Sequence, residues 1–225
     1  ATSDSLYFKS EELALNSLLN STVFILPCIA GHVGADAAAV VLSEAPNESN
    51  ETVLIIDVGT NAELILGNKY ELYACSSPTG PAFEGAQISS GQRAAPGAIE
   101  KVKIDPRTKD PIFRVIGCEY WSDEEGFKNF IKNQPITGIC GSGIIEVIAE
   151  MRINGILDKS GLIGSSMETG SKRSITDGRT YSYLLYEDKN NGENIIKITN
   201  ADVRAIQLAK AALFAGSRLL MDEMK

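Results

Sequence analysis

Hydrophobic residues along this 225-residue chain fall mostly in short runs broken by glycine, proline and asparagine, with a few stretches at helical spacing. "VLIID" (53–57) and the alternating stretch 61–66 read as two strands, and a Gly67-Asn68 turn leads into a third at "YELYACSS". Together they predict a β-meander. Further strands are expected at the start of "FILPCIAG", at "AIEKVKI" and at "IFRVIG". "TYSYLLYE" and "NIIKIT" predict a hairpin across "DKNNGE".

Helical spacing is clearest near the C-terminus. Thr199 and Asp202 form a capping box, and Val203, Ile206, Ala209, Leu213, Gly216 and Leu220 supply one stripe. In "GSGIIEVIAEM", Ile144, Ile145, Ile148 and Met151 predict one buried face, with Gly155 as the stop. An Ala-rich helix is expected from about Asp36 to Leu42, and a short amphipathic one in "SEELALNSLL" (10–19). The stretches "PTGPAFEGAQISSGQRAAPGAIE", "WSDEEG" and 160–180 read as loops. Interleaved strands and helices predict an α/β fold. No internal repeat stands out.

Composition narrows the classes. The chain is 44% hydrophobic and 22% charged, as expected of a globular protein able to bury a core. Its net charge of −8 argues against nucleic acid or a membrane surface as partner. No apolar run approaches the ~20 residues of a membrane span. Cys28, Cys75, Cys118 and Cys140 contain no CxxC pair, so reduced thiols in a cytoplasmic protein are expected. His32 is the only histidine, which leaves little room for a Ser–His or Cys–His catalytic pair. It reads as a turn residue rather than a metal ligand. The chain starts at Ala1 and stops inside a helical pattern, suggesting a fragment.

An anionic ligand on so acidic a chain needs local devices, and three glycine turns offer them. In "DVGTN", Gly59 permits close backbone approach, Thr60 and Asn61 supply donors, and Asp57 could hold Mg²⁺ through water. A hairpin turn with an Asp cap is the alternative. Glu63 lies six residues on, so strand parity places it on the face of Asp57, as a second metal or water ligand or a partner for a lysine. In "TGPAFEGAQIS", Gly80, Glu84 and Gly85 mark a loop-to-helix transition. In "GICGSGIIE", Gly141, Ser142 and Gly143 precede a helix whose orphan N–H groups favour an anion. Tight helix entry is the plainer alternative for both. Three such turns predict one shared cleft. Arg93 could pair with phosphate or with a carboxylate of the protein. Cys140 abuts Gly141, and no second ligand motif accompanies it to suggest a cluster.

The order "GADAAAVVLSE", "DVGTNAE" (57–63), "GPAFEGAQIS" (80–89), "RAAPGAIE" (93–100) and "GICGSGI" (138–144) resembles the C-terminal ATPase domain of the reductive activators of corrinoid proteins. Those domains belong to the ASKHA superfamily of actin, hexokinase, sugar kinases and heat-shock chaperones. The likeness spans roughly residues 24 to 221. It implies a ribonuclease H-like ASKHA lobe, a mixed β-sheet with packed helices.

It also implies ATP and Mg²⁺ as cofactors. Asp57, Glu63 and Glu84 would be the catalytic carboxylates, with Asp57 at the metal. Asp57, Gly59, Thr60, Asn61, Gly80, Glu84, Gly85, Gly141, Ser142 and Gly143 would bind the nucleotide. The implied activity is ATP-dependent reduction of a corrinoid cobalt from Co(II) to Co(I) in a methyltransferase system, with a corrinoid protein as partner. The electron would come from a [2Fe–2S] domain of the full-length family that is absent from this chain. The first phosphate hairpin and the closing adenosine turn are absent too, so residues 1–225 read as a single fragment covering one lobe. A docking module without hydrolysis, a small-molecule kinase and a homodimer all stay open.

Overall fold

The computed structural model describes residues 2–188 and 194–225. The chain divides into two compact units, Ala1–Pro78 with Ala212–Lys225, and Thr79–Ala211.

The first unit opens with β1 (Leu6–Lys9) paired antiparallel to β2 (Thr22–Ile25), with Tyr7 stacked at a tilt on Phe24. Between them the expected helix at 10–19 does not form. Two short 3₁₀ turns, Ser10–Leu13 and Asn16–Leu18, are separated by Ala14, whose left-handed backbone (φ 55°) ends the first. Its leucines remain largely exposed, so no buried stripe exists to support a longer helix.

α1 (Ala35–Glu44) matches the Ala-rich expectation. The meander also forms as read: β3 (Val53–Val58), β4 (Ala62–Gly67) and β5 (Leu72–Ser77) pair in that order, all antiparallel. β4 is central and buried along most of its length. Leu64 and Leu66 pack with Leu54, Tyr73 and Cys75 against Leu213 and Leu220 from the end of the last helix.

The second unit is built on a mixed sheet. β6 (Ala98–Ile104) pairs antiparallel with β7 (Pro111–Val115), and parallel with the two-residue β8 (Gly138–Ile139). α2 (Glu125–Asn133) follows directly on the acidic loop and was not expected. Its Phe127, Phe130 and Ile131 pack into the core at i, i+3 and i+4 spacing, a pattern too short to show beside so much charge.

α3 (Gly141–Ile153) lies along β6, and its buried face is Ile144, Val147 and Met151 with Ile148 packed beside them. Ile145, expected on that face, is 44% exposed, while Val147 is wholly buried. Gly155 ends the helix with φ 73°, as the stop signal predicted.

The stretch 160–180 is more ordered than a loop. α4 (Ser166–Thr169) is capped by Ser165 and Glu168, and β9 (Ser174–Asp177) pairs with β10 (Thr180–Glu187), which pairs with β11 (Ile195–Ile198). The hairpin is as expected, although its turn across "DKNNGE" lies, after Asp188, outside the described residues. α5 (Asn200–Glu223) starts at the capping box. The Thr199 N–H and hydroxyl both donate to Asp202 Oδ2 at 2.8 Å. Of its stripe, Val203, Ile206 and Ala209 join the core of the second unit.

The pairing of α3 with β6 carries much of the second unit. β8 covers only the start of β6, so the backbone beyond needs other partners. Glu146 and Glu150, one helical turn apart, accept from the N–H groups of Val102 (2.7 Å) and Ile104 (2.9 Å). Ser142 Oγ donates to the Glu100 carbonyl, and the Cys140 N–H to that of Ile99, both at 3.0 Å. Gly143 makes the approach sterically feasible, since a Cβ there would sit 2.4 Å from the Ile99 carbonyl oxygen.

Two outcomes follow. Gly143→Ala should destabilise the chain by about 1–3 kcal/mol through overpacking, lowering the melting temperature by about 2–4 °C per kcal/mol. Gly31→Ala, where nothing lies within 4 Å of the added Cβ, should leave it unchanged. Differential scanning calorimetry of both variants checks this.

The second outcome concerns pH. The Lys197 ammonium at 2.7 Å from Oδ2, and then the Ser182 hydroxyl, hold the Asp177 carboxyl below the usual carboxylate range. Its contribution is therefore complete above the unfolded-state pKa of about 4 and is lost as pH falls through the lower folded value. Asp177→Asn should melt below the parent at pH 7, and the gap should close towards pH 3.

Candidate functional site

Asp57 stands at the end of β3, where three residues, Gly59 to Asn61, turn the chain into β4. The Gly59 N–H donates to the Asn61 carbonyl at 3.0 Å, so that donor serves the turn itself. Gly59 keeps φ outside the left-handed region. Its glycine character is spatial, because a Cβ would lie 3.2 Å from the Asn61 carbonyl oxygen.

The register places Asp57 directly opposite Glu63, so both carboxylates leave the same face of the hairpin, as strand parity predicted. Among the described residues no lysine joins Glu63. Its cross-strand neighbour on β5 is Ser76, whose hydroxyl donates to Glu63 Oε1 at 3.1 Å.

Glu63, Asn61 and Ser76 line an open depression with Gly31, His32, Gly34, Asp36 and Pro78. His32 occupies a tight turn closed by reciprocal hydrogen bonds between Ala30 and Val33. Asp36, in the first turn of α1, accepts from the Ala37 N–H at 2.9 Å. Sequence reading missed Asp36 as a candidate. The available signal was an acid placed between a Gly-Ala entry and an alanine-rich helix.

Glu63 and Asp36 thus line this depression, Asp57 lies across the hairpin from Glu63, and among the described residues no basic side chain forms an ion pair with any of the three. Like charges directly opposite on a strand pair repel. A divalent cation would relieve that repulsion. Among the described residues no three His, Cys, Asp or Glu side chains converge to grip an ion directly. Asp57 and Glu63 are residues that could hold Mg²⁺, which keeps its waters and takes one or two carboxylates together with substrate phosphates.

The other two turns belong to the second unit and meet there. Phe83, Glu84, Gly141 and Ser142 line one depression, together with Arg93, Ala94 and Cys140. Gly80 adopts φ 71° and ψ 175°, a backbone region essentially confined to glycine, and opens a short 3₁₀ turn, Pro81–Glu84. Gly85 closes it with φ 83°.

Gly141 lies so close beneath this turn that a Cβ would clash with the Phe83 carbonyl. Gly143 is buried. Packing thus accounts for both glycines of "GSG", the tight-entry alternative that the sequence left open. No side chain caps the start of α3, so its dipole faces the depression with backbone N–H groups alone. Among the described residues no carboxylate pairs with Arg93. Cys140 is buried, with Sγ 3.4 Å from the Ile99 carbonyl, and all four cysteines are free thiols. Among the described residues no helix is long and apolar enough to cross a membrane.

Comparison with known proteins agrees with this architecture. The chain is 34% identical over 226 aligned residues to the corrinoid activation enzyme RamQ of Eubacterium limosum, covering 97% of this chain and 35% of that protein. It is 31% identical over 159 residues to the [Co(II) methylated amine-specific corrinoid protein] reductase of Methanosarcina barkeri, covering 67% of this chain and 29% of that one. The chain therefore spans about a third of the length of these relatives.

Among solved structures, a reductive activator for corrinoid, iron-sulfur protein superposes with a TM-score of 0.78 at 33% identity, over all of this chain and 33% of its own. Residues 51–225 match the family described as the C-terminal domain of RACo, the ASKHA domain, and the chain belongs to that family.

Proposed function

We propose that this chain is the nucleotide-responsive part of an ATP-dependent reductive activator, which restores Co(I) in a cytoplasmic corrinoid protein after oxidation to Co(II). The observation that carries the proposal is the opposed pair Asp57 and Glu63 beside the Gly59–Asn61 turn, with no basic partner among the described residues. Relatives named for corrinoid activation and for Co(II) corrinoid reduction support it.

In this assignment Asp57 and Glu63 orient the waters of a bound Mg²⁺, and the exposed Asn61 amide meets the phosphate end of ATP. Within the second unit, Gly80, Glu84 and Gly85, with the N–H groups of Gly141, Ser142 and Gly143, are the residues proposed for nucleotide binding. Thr60 completes the hairpin tip. Mg²⁺ supplies charge neutralisation at the phosphates. The chain's own residues supply placement.

Coupling to ATP meets a definite energetic need. Turning an equilibrium from 1:99 to 99:1 takes ~5.5 kcal/mol, which for one electron at ~59 mV per tenfold is about 0.24 V. Differential binding of a nucleotide to two conformations can provide free energy of that order. The iron-sulfur donor and the corrinoid lie outside this chain. Redox chemistry is assigned to them and nucleotide sensing to these residues.

Titration calorimetry with MgATP tests the assignment. In this reading the 57–61 turn supplies the phosphate contacts of residues 1–225 without a second, opposing hairpin, so affinity should be no tighter than about millimolar, near −4 kcal/mol. Asp57→Asn should weaken binding in the presence of Mg²⁺ while leaving the fold intact. Equal affinity in wild type and Asp57→Asn would refute the role of the hairpin carboxylates. Micromolar affinity in the isolated chain would show that it holds a complete site.

A further inference from the structure

Asp202 is a carboxylate with almost no solvent exposure (1%) and no basic residue among its hydrogen-bond partners. Burying a charge in this way is costly unless donors replace the lost water. Here four do. Oδ2 accepts from the Thr199 N–H and hydroxyl, both at 2.8 Å, which accounts for the start of α5. Oδ1 faces the other way and accepts from the Ser89 N–H at 2.8 Å and the Ser89 hydroxyl at 3.0 Å, 113 residues away in sequence. A helix cap needs only the first pair, so the second pair requires its own explanation.

Ser89 begins the return limb of the loop that carries Glu84. The Gly91 N–H donates to the Ile88 carbonyl at 2.9 Å, making a tight turn around Ser89 and Ser90. Gly91 and Gln92 then form the backing of Gly85. A Cβ on Gly85 would fall 2.6 Å from the Gln92 carbonyl oxygen, and one on Gly91 would meet the Gly85 carbonyl. The limb is held on its other side by the Ile139 N–H donating to the Ser90 carbonyl and the Gln92 N–H donating to that of Ile139, both at 2.9 Å. A continuous path of close contacts therefore runs from Asp202 through Ser89 and the 88–91 turn to Gly85 and Glu84.

We propose that Asp202 is a positioning residue: its buried carboxylate, saturated by Thr199 and Ser89, sets the geometry of the 80–85 turn from the start of α5. Its consequence for nucleotide binding rests on the function proposed above; the positioning itself does not. Asp202 touches no ligand. It acts through Ser89.

Two variants separate positioning from ordinary stabilisation, because Ser89→Ala and Thr199→Ala each remove one hydroxyl donor from the same carboxylate. Amide hydrogen exchange of the whole chain should speed up across 80–91 by about tenfold or more in Ser89→Ala. In Thr199→Ala the change should be confined to the start of α5. MgATP affinity should fall in Ser89→Ala and hold in Thr199→Ala at a matched loss of melting temperature. Asp202→Asn, which replaces one acceptor with a donor, should show both exchange effects.

Unchanged exchange across 80–91 in Ser89→Ala and Asp202→Asn would overturn the proposal. So would equal exchange effects of Ser89→Ala and Thr199→Ala on that segment. If Asp202→Asn does not fold, the contrast between the other two variants still decides. If the wild-type chain shows no nucleotide binding at all, the proposed function fails, and the exchange contrast still judges the positioning role.

Discussion

The open edge of β6 is the constraint around which the second unit is arranged. A strand of seven residues with a two-residue neighbour leaves backbone N–H and C=O groups that need other partners. α3 supplies the missing partners with Glu146 and Glu150 rather than with another strand. For those carboxylates to reach Val102 and Ile104, the helix must begin almost in contact with the Ile99 and Phe83 carbonyls. That requirement dictates glycine at 141 and 143. The same approach brings the uncapped end of α3 to the Glu84 turn, so one packing need creates the depression that the proposed function uses.

The first unit obeys a different rule. Its meander is stabilised by Leu64 and Leu66 on the buried face, yet the opposite face sets Asp57 against Glu63. Stability alone would not select that pair, because like charges across a strand pair weaken it. Local rules are most often broken where function compensates. Among the described residues the pair has no basic partner, and Glu63 shares a depression with Asn61 and Ser76, which supports the proposed role of the hairpin.

Much of the fold was legible because several signals were local and strong. The meander follows from alternation bounded by glycine and asparagine, and α5 from a capping box followed by an unbroken stripe. Asp57 and Glu63 could be paired by parity alone. What escaped depended on tertiary context. α2 buries Phe127 and packs the partly buried Phe130 and Ile131 beneath a charged surface, and Ala14 ends a turn through a left-handed backbone that no propensity for alanine suggests. The exchange of Ile145 for Val147 on the buried face of α3 reflects where β6 lies, a long-range fact. The second role of Asp202 was equally hidden, since its capping box looks complete without Ser89.

Paramagnetic broadening by MnATP, followed by amide NMR of the 225-residue chain, tests the central claim most directly. If Asp57 and Glu63 face the metal of a bound nucleotide, the amides of residues 57–63 should broaden first as MnATP is added, and MgATP should compete the effect away. Broadening that spares this hairpin, or that persists unchanged in Asp57→Asn with Glu63→Gln, would contradict it.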